Sequence, residues 1–194
     1  MRSDNHISLL EKRVVEQCSP TLAGLKTGSL FSLRGYTVNV LLAELRNLNR
    51  RLRSSGLLLI PLKKADGFAL MYLYRPGSLQ KDLEDPLAGK ILRGFGYCPT
   101  EMTHCILRLC SRLKDKDSFP HEIGLFLGYP PKDVDGFIHH KERSCACSCK
   151  GCWKVYSDPE KAERIFKSFR KCTTCYLERF NNGSSLEQLL VSGL

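Results

Sequence analysis

The chain has 194 residues, of which 42% are hydrophobic and 26% are charged, and its net charge is +10. This length suits one domain, and the composition is that of a folded protein, not of a disordered chain. The longest apolar run, Leu57 to Ile60, is far shorter than the ~20 residues of a membrane-spanning helix. The N-terminus also lacks the apolar core of a secretion signal, so we expect a cytoplasmic protein without a membrane segment.

Apolar residues at helical spacing predict a first helix over 5–18, which Pro20 should stop, and a second over 37–54. A short strand is expected before Leu33. Two further strands, 57–62 and 68–74, flank Asp66-Gly67, a dipeptide typical of hairpin turns.

The second half of the chain is mainly helical by the same criteria. Asp158 and Pro159 are typical of a helix start, so a long last helix is expected to begin there. The remaining predicted elements are helices over 77–84, 86–93, 100–114, 120–127, 131–140 and 185–191 and a strand over 153–156. The pattern predicts an α/β or α+β fold: a single domain, 1–194, with a small, mainly antiparallel sheet and packed helices.

Ten cysteines are many for a cytoplasmic chain, in which they should be thiols. A cysteine-rich loop over 145–152 contains Cys149 and Cys152, and Cys172 and Cys175 follow 19 residues later. Two Cys-x2-Cys pairs have the spacing of a four-thiolate zinc site, which makes these four residues the candidate ligands. Additional donors in the neighbourhood would be Cys145, Cys147 or His140. The alternative is that Cys172, which continues the apolar face of its helix, is a core residue.

A second hypothesis takes Cys18 as a nucleophile, with His121 as its base and Asp133 or Asp135, of which we favour Asp135, as the orienting carboxylate. That order along the chain is the order of papain-like hydrolases and acyltransferases. However, Cys18 also completes an apolar helical stripe, so a core thiol explains it equally well.

A third hypothesis is a DNA-binding helix-turn-helix over 122–138, with Gly124 at the helix crossing and Gly128 in the turn. Asp133 and Asp135 would oppose phosphate contact in the second helix. The basic excess is spread along the chain, and its two local clusters, 46–53 and 161–171, are more often solvated helix faces. A nucleic-acid partner is therefore not favoured.

The run over residues 119–138 resembles the hallmark segment of the DUF3793 family, a bacterial domain of unknown function typical of anaerobic Firmicutes. Further matching segments extend the resemblance over almost the whole chain: 18–26, 30–31, 74–76, 96–97, 152–156 and 171–173. The resemblance implies a shared fold and a bacterial cytosol but no activity. In the family pattern Cys145, Cys147, Cys149 and Cys175 are additions, which weakens zinc binding as a family function.

From the residues, the leading hypothesis is a cytoplasmic, thiol-rich accessory protein that binds zinc or takes part in redox chemistry. The hydrolase and the DNA-binding protein are the alternatives.

Overall fold

The computed structural model of the chain describes residues 8–65, 67–115, 119–139 and 149–192. Its strands are β1 (Gly28–Arg34), β2 (Leu58–Ala65), β3 (Phe68–Tyr74), β4 (Cys149–Lys150) and β5 (Lys154–Val155). Its α-helices are α1 (Leu9–Leu22), α2 (Val38–Leu52), α3 (Pro76–Glu84), α4 (Pro86–Gly94), α5 (Met102–Arg112), α6 (Ile123–Phe126), α7 (Pro131–His139), α8 (Pro159–Asn181) and α9 (Leu186–Leu189). The small antiparallel sheet among many helices confirms the predicted α+β class.

The main sheet has the strand order β1-β3-β2, and both pairs are antiparallel. Alternate residues of each strand point to opposite faces, and both faces are covered by helices. The first core lies on one face, where α1, α2, α9 and the C-terminal part of α8 cover residues such as Phe31, Leu59 and Met71. The second core lies on the other face, where Tyr72 and Tyr74 meet side chains from α3 to α7.

Helix α1 continues past Pro20 to Leu22, so the prediction that Pro20 stops the helix is wrong. A proline removes one backbone donor and leaves an earlier carbonyl without its helical partner. Pro20 lies in the last turn of α1, so only the helical bond to the Glu16 carbonyl is lost. The Ser19 hydroxyl donates to the neighbouring Val15 carbonyl. The helix then ends in a cap built around Arg75.

Arg75 is a buried cation that holds the end of α1 to two other segments. Its guanidinium donates to the carbonyls of Thr21 and Leu22 at 2.8 Å each, to Ser55 at 3.2 Å and to Val191 at 2.7 Å. A cation is favourable at the C-terminal end of a helix, where carbonyl oxygens lack partners.

The hairpin of β4 and β5 packs against the first half of α8 in a small third cluster. Val155, Ala162 and Phe166 are buried there, and the Trp153 ring meets Phe166 edge-on at 4.5 Å. The predicted cap of α8 is confirmed, since the Asp158 carboxylate accepts from the Lys161 amide at 3.0 Å. This cluster fixes the position of Trp153 beside α7.

Within the described part of the chain, none of the helices combines the length and the apolar character needed to cross a membrane.

Candidate ligand-binding site

An apolar cavity of about 360 Å³ lies between the α6–α7 segment, the β5 hairpin and the second-core face of β1. Buried aliphatic side chains form its inner end, and exposed Phe119 and Lys154 lie at its mouth. The lining residues are Leu30, Phe119, His121, Ile123, Gly124, Leu127, Tyr129, Asp133, Val134, Phe137, Trp153 and Lys154. Cavities of this size and character are typical small-molecule sites.

The inner end of the cavity depends on a close crossing of α6 and α7. A Cβ atom on Gly124 would lie 2.8 Å from Val134 Cγ2 and 3.1 Å from Tyr129 Cδ2. Only glycine permits this approach, because real Cβ atoms do not come so close to other carbons. The Tyr72 hydroxyl donates to the Phe126 carbonyl and so holds α6 on the sheet.

Asp133 joins α7 to the hairpin and is 2% exposed. Its Oδ2 accepts from the Trp153 indole at 2.8 Å. Its Oδ1 accepts from the Tyr156 amide, the Ser157 amide and the Ser157 hydroxyl, each at 2.8 Å. Three of these four hydrogen bonds go to Oδ1 and one to Oδ2, and all four come from Trp153 or from the two residues that follow the hairpin. Asp133 is therefore a structural carboxylate that fixes the Trp153 ring in the cavity wall.

Five of the twelve residues that line the cavity carry aromatic rings. Tyr129 stacks on Trp153 with centroids 4.9 Å apart and an interplanar angle of 29°. A second group of rings contains His121, which meets Phe137 edge-on at 4.9 Å and lies 6.3 Å from the Phe119 ring. Rigid rings of this kind bind flat apolar molecules at small cost in conformational entropy.

Two lysines place positive charge beside these rings. The Lys154 ammonium lies 5.1 Å from the Phe137 centroid, and the Lys26 ammonium lies 5.4 Å from the Tyr129 centroid. Burial lowers the pKa of Lys26, while the nearby Cys18 and Cys152 thiols act in the opposite direction. The cavity lining is thus largely apolar, and two ammonium groups lie close to its rings.

The predicted nucleophile and base lie on opposite faces of the sheet. Cys18 is fully buried in the first core, and burial raises the pKa of its thiol to about 12. His121 shares its cavity with Leu30 on the second-core face. Asp135 lies on α7 with its side chain 41% exposed, and its carboxylate is 3.3 Å from the His139 ring. The burial and the raised pKa of Cys18 are those of a core thiol, and they do not support the hydrolase hypothesis.

The predicted zinc ligands are only partly within the described structure. The side chain of Cys149 and the residues Cys145, Cys147 and His140 lie outside it. Cys152 is exposed near Lys26, Cys175 is exposed on α8, and Cys172 packs against the first core. Among the described residues, no three histidine, cysteine or acidic side chains converge as a metal site. The four-cysteine site stays a prediction.

The helix-turn-helix segment occurs as α6 and α7, but α7 is largely covered. Val134 is buried, and a Cβ on Gly136 would lie 2.7 Å from the Tyr156 ring. The opposite side of α7 packs against α4. A recognition helix needs an exposed face for the major groove, so this packing does not favour DNA binding.

Sequence reasoning did not identify Tyr129 or Trp153 as site residues. A usable signal was that segments 119–138 and 152–156, both quoted for the family resemblance, contain most of the aromatic rings in this half of the chain. They meet in one cavity.

Comparison with known proteins gives a family and no activity. The family model described as "Protein of unknown function (DUF3793)" matches residues 14–190. Searches of the curated proteins and of the solved structures find no match. The match covers nearly the whole chain, as the sequence resemblance predicted, and the chain belongs to the DUF3793 family.

Proposed function

We propose that the protein binds a small, flat, largely apolar molecule in the cavity lined by α6, α7 and the β5 hairpin. One observation carries the proposal: an apolar cavity of about 360 Å³ with five aromatic rings in its wall. A two-ring aromatic compound fits within such a volume, and pockets of ~300 Å³ and above hold small ligands.

The site supports binding better than catalysis. Asp133, the carboxylate of the wall, accepts four hydrogen bonds that hold the hairpin in place, which is a structural role. Cys18 lies in the opposite core and its raised pKa keeps it a thiol. A carrier or sensor of a small molecule is therefore the activity that we assign to this cavity.

A titration with 2-naphthalenemethanol, a neutral two-ring probe, tests the proposal. Trp153 is the only tryptophan of the chain and lies in the cavity wall, so its indole N–H gives one assigned NMR signal. We expect saturable shifts of this signal and a matching calorimetric affinity.

A blocked cavity provides the matched control. Leu30 and Ile60 both pair with Tyr72, from opposite sides, but only Leu30 lines the cavity. Leu30→Trp should weaken binding at least tenfold by filling the space, whereas Ile60→Trp should change it less than twofold. Equal binding by both variants, or no Trp153 shift in the wild type, would show that the cavity is not a ligand site.

Metal binding by thiols is a separate hypothesis. Cys152 and Cys175 are both exposed free thiols, so both are accessible to a metal ion. Elemental analysis of protein purified without added metal would support it with one equivalent of zinc. A substoichiometric amount, with thiols free to titrate, would reject it.

A further inference from the structure

We propose that the cavity prefers an aromatic carboxylate to neutral and cationic analogues, and that Lys154 recognises the carboxylate. This inference rests on the proposed ligand-binding function and adds the chemical class of the ligand.

Lys154 places a cation at the cavity mouth. It is exposed, and its ammonium lies 5.1 Å from the Phe137 centroid. Among the residues that the structure describes, no carboxylate lies within ion-pair distance of it. An ammonium held at the edge of an apolar cavity can bind the charged end of a ligand whose apolar part is buried.

The carboxylate in the wall does not cancel this charge toward the cavity. Asp133 directs its oxygens to Trp153, Tyr156 and Ser157, and the four hydrogen bonds that it accepts offset part of its charge. A cationic ligand would have to compete with these donors for the carboxylate. An anionic ligand would meet Lys154 first.

Lys26 adds to the same preference from behind the opposite wall. Its ammonium lies 5.4 Å from the centroid of Tyr129, the ring that stacks on Trp153. No carboxylate of the described residues forms an ion pair with Lys26 either. Both ends of the aromatic wall therefore carry positive charge, which favours an anion by electrostatic complementarity.

The rings decide between an aromatic and an aliphatic anion. Phe119, His121, Tyr129, Phe137 and Trp153 present flat surfaces or edges to the cavity. A flat ring contacts such surfaces more completely than a flexible chain, and it loses less conformational freedom on binding.

A set of matched ligands tests the inference by calorimetry and by the Trp153 indole signal. The set is 2-naphthoate, 2-naphthalenemethanol, 2-naphthylmethylammonium and octanoate. We expect 2-naphthoate to bind about two- to fivefold more tightly than the neutral alcohol, which is the range of an exposed ion pair. The cation should bind more weakly than the alcohol, and octanoate more weakly than 2-naphthoate. Added salt should weaken only the binding of the anions.

Lys154→Met keeps the apolar stem and removes the charge. It should lower the ratio of 2-naphthoate affinity to alcohol affinity to about one. Lys132→Met is the control, because Lys132 is exposed on α7 and does not line the cavity. If the alcohol binds but naphthoate binds no tighter in the wild type than in Lys154→Met, the charge preference is overturned and the ligand cavity stands. If octanoate matches naphthoate, the aromatic preference is overturned. If no compound binds, the proposed function itself fails.

Discussion

At the scale of single residues, the two acidic side chains of α7 have opposite environments two positions apart. Asp133 is buried and accepts four hydrogen bonds, whereas the Asp135 side chain is partly exposed and lies near the His139 ring. Their patterns in the sequence are alike. They differ in their hydrogen-bond partners. The partners of Asp133 lie 20 to 24 residues later in the chain.

Asp133→Asn should destabilise the protein by about 2–3 kcal/mol. The amide nitrogen of asparagine would face the indole N–H of Trp153, or it would displace the three donors at the other oxygen, so a buried donor loses its acceptor. Urea unfolding and the shift of the Trp153 indole signal measure the effect. Asp135→Asn is the matched control and should stay within ~0.5 kcal/mol of the wild type. Equal losses in both variants would contradict the structural role of Asp133.

Cys18 is predicted to be inert in the folded protein. Burial raises the pKa of its thiol to about 12, so the thiolate is scarce at pH 8 and the reagent has no access. Iodoacetamide at pH 8, followed by peptide mass spectrometry, should label exposed Cys152 and Cys175 and leave Cys18 unmodified. In urea all three should react alike. Labelling of native Cys18 as fast as Cys152 would revive the nucleophile hypothesis.

At the scale of elements, the end of α1 depends on a residue outside the helix. Arg75 follows β3 and donates to carbonyls from three segments of the chain. The segments are the end of α1, the turn after α2 and the chain after α9. Arg75 therefore connects elements that are far apart in the sequence but meet at one corner of the first core.

Arg75→Met should lower the free energy of unfolding by about 3 kcal/mol or more. The variant keeps the side-chain volume but leaves buried carbonyl oxygens without a donor, and bonds from a charged donor contribute more than neutral ones. Urea unfolding gives the value. Arg93→Met, at an exposed position of α4, is the control and should change stability by less than ~0.5 kcal/mol. A loss in Arg75→Met no larger than in this control would show that water replaces the guanidinium.

The extents of most helices and strands could be predicted, because they depend on local signals. Helix α2 has a regular apolar stripe, and α8 begins at the predicted Asp158 cap. The course of α1 through Pro20 could not be predicted in the same way. The local rule places the helix end at the proline, whereas the last carbonyls of α1 are bound by Arg75, which is a tertiary contact that local sequence does not show.

The cavity could not be predicted from the sequence for a related reason. Its wall requires Trp153 to lie against Tyr129, and this depends on Asp133 and Phe166 holding the indole from two sides. Each of these contacts joins residues more than ten positions apart. Periodicity and spacing describe neighbours along the chain, so they identified the cysteine pairs and not the aromatic rings.

At the scale of the whole molecule, one thin sheet separates two cores. Leu59, Met71 and Leu73 point into the first core, and Tyr72 and Tyr74 point into the second. Because neighbouring residues of β3 serve different cores, neither core can lose its packing without disturbing the strand that supports the other. This arrangement predicts that the chain unfolds as the single domain that its length suggests.

Cavity-creating substitutions, one in each core, test this cooperativity. Leu10 is fully buried in the first core and Leu92 in the second, and replacing either with alanine should cost about 2–5 kcal/mol. Trp153 fluorescence reports from the side of the second core, whereas far-UV ellipticity reports from all helices. In a cooperative unit, each variant should shift the urea midpoint equally by both probes with an unchanged slope. If Leu10→Ala shifted the ellipticity transition but left the Trp153 transition in place, the two cores would unfold separately. The Trp153 cavity would then belong to a unit that is stable without α1, and the single-domain prediction would be wrong.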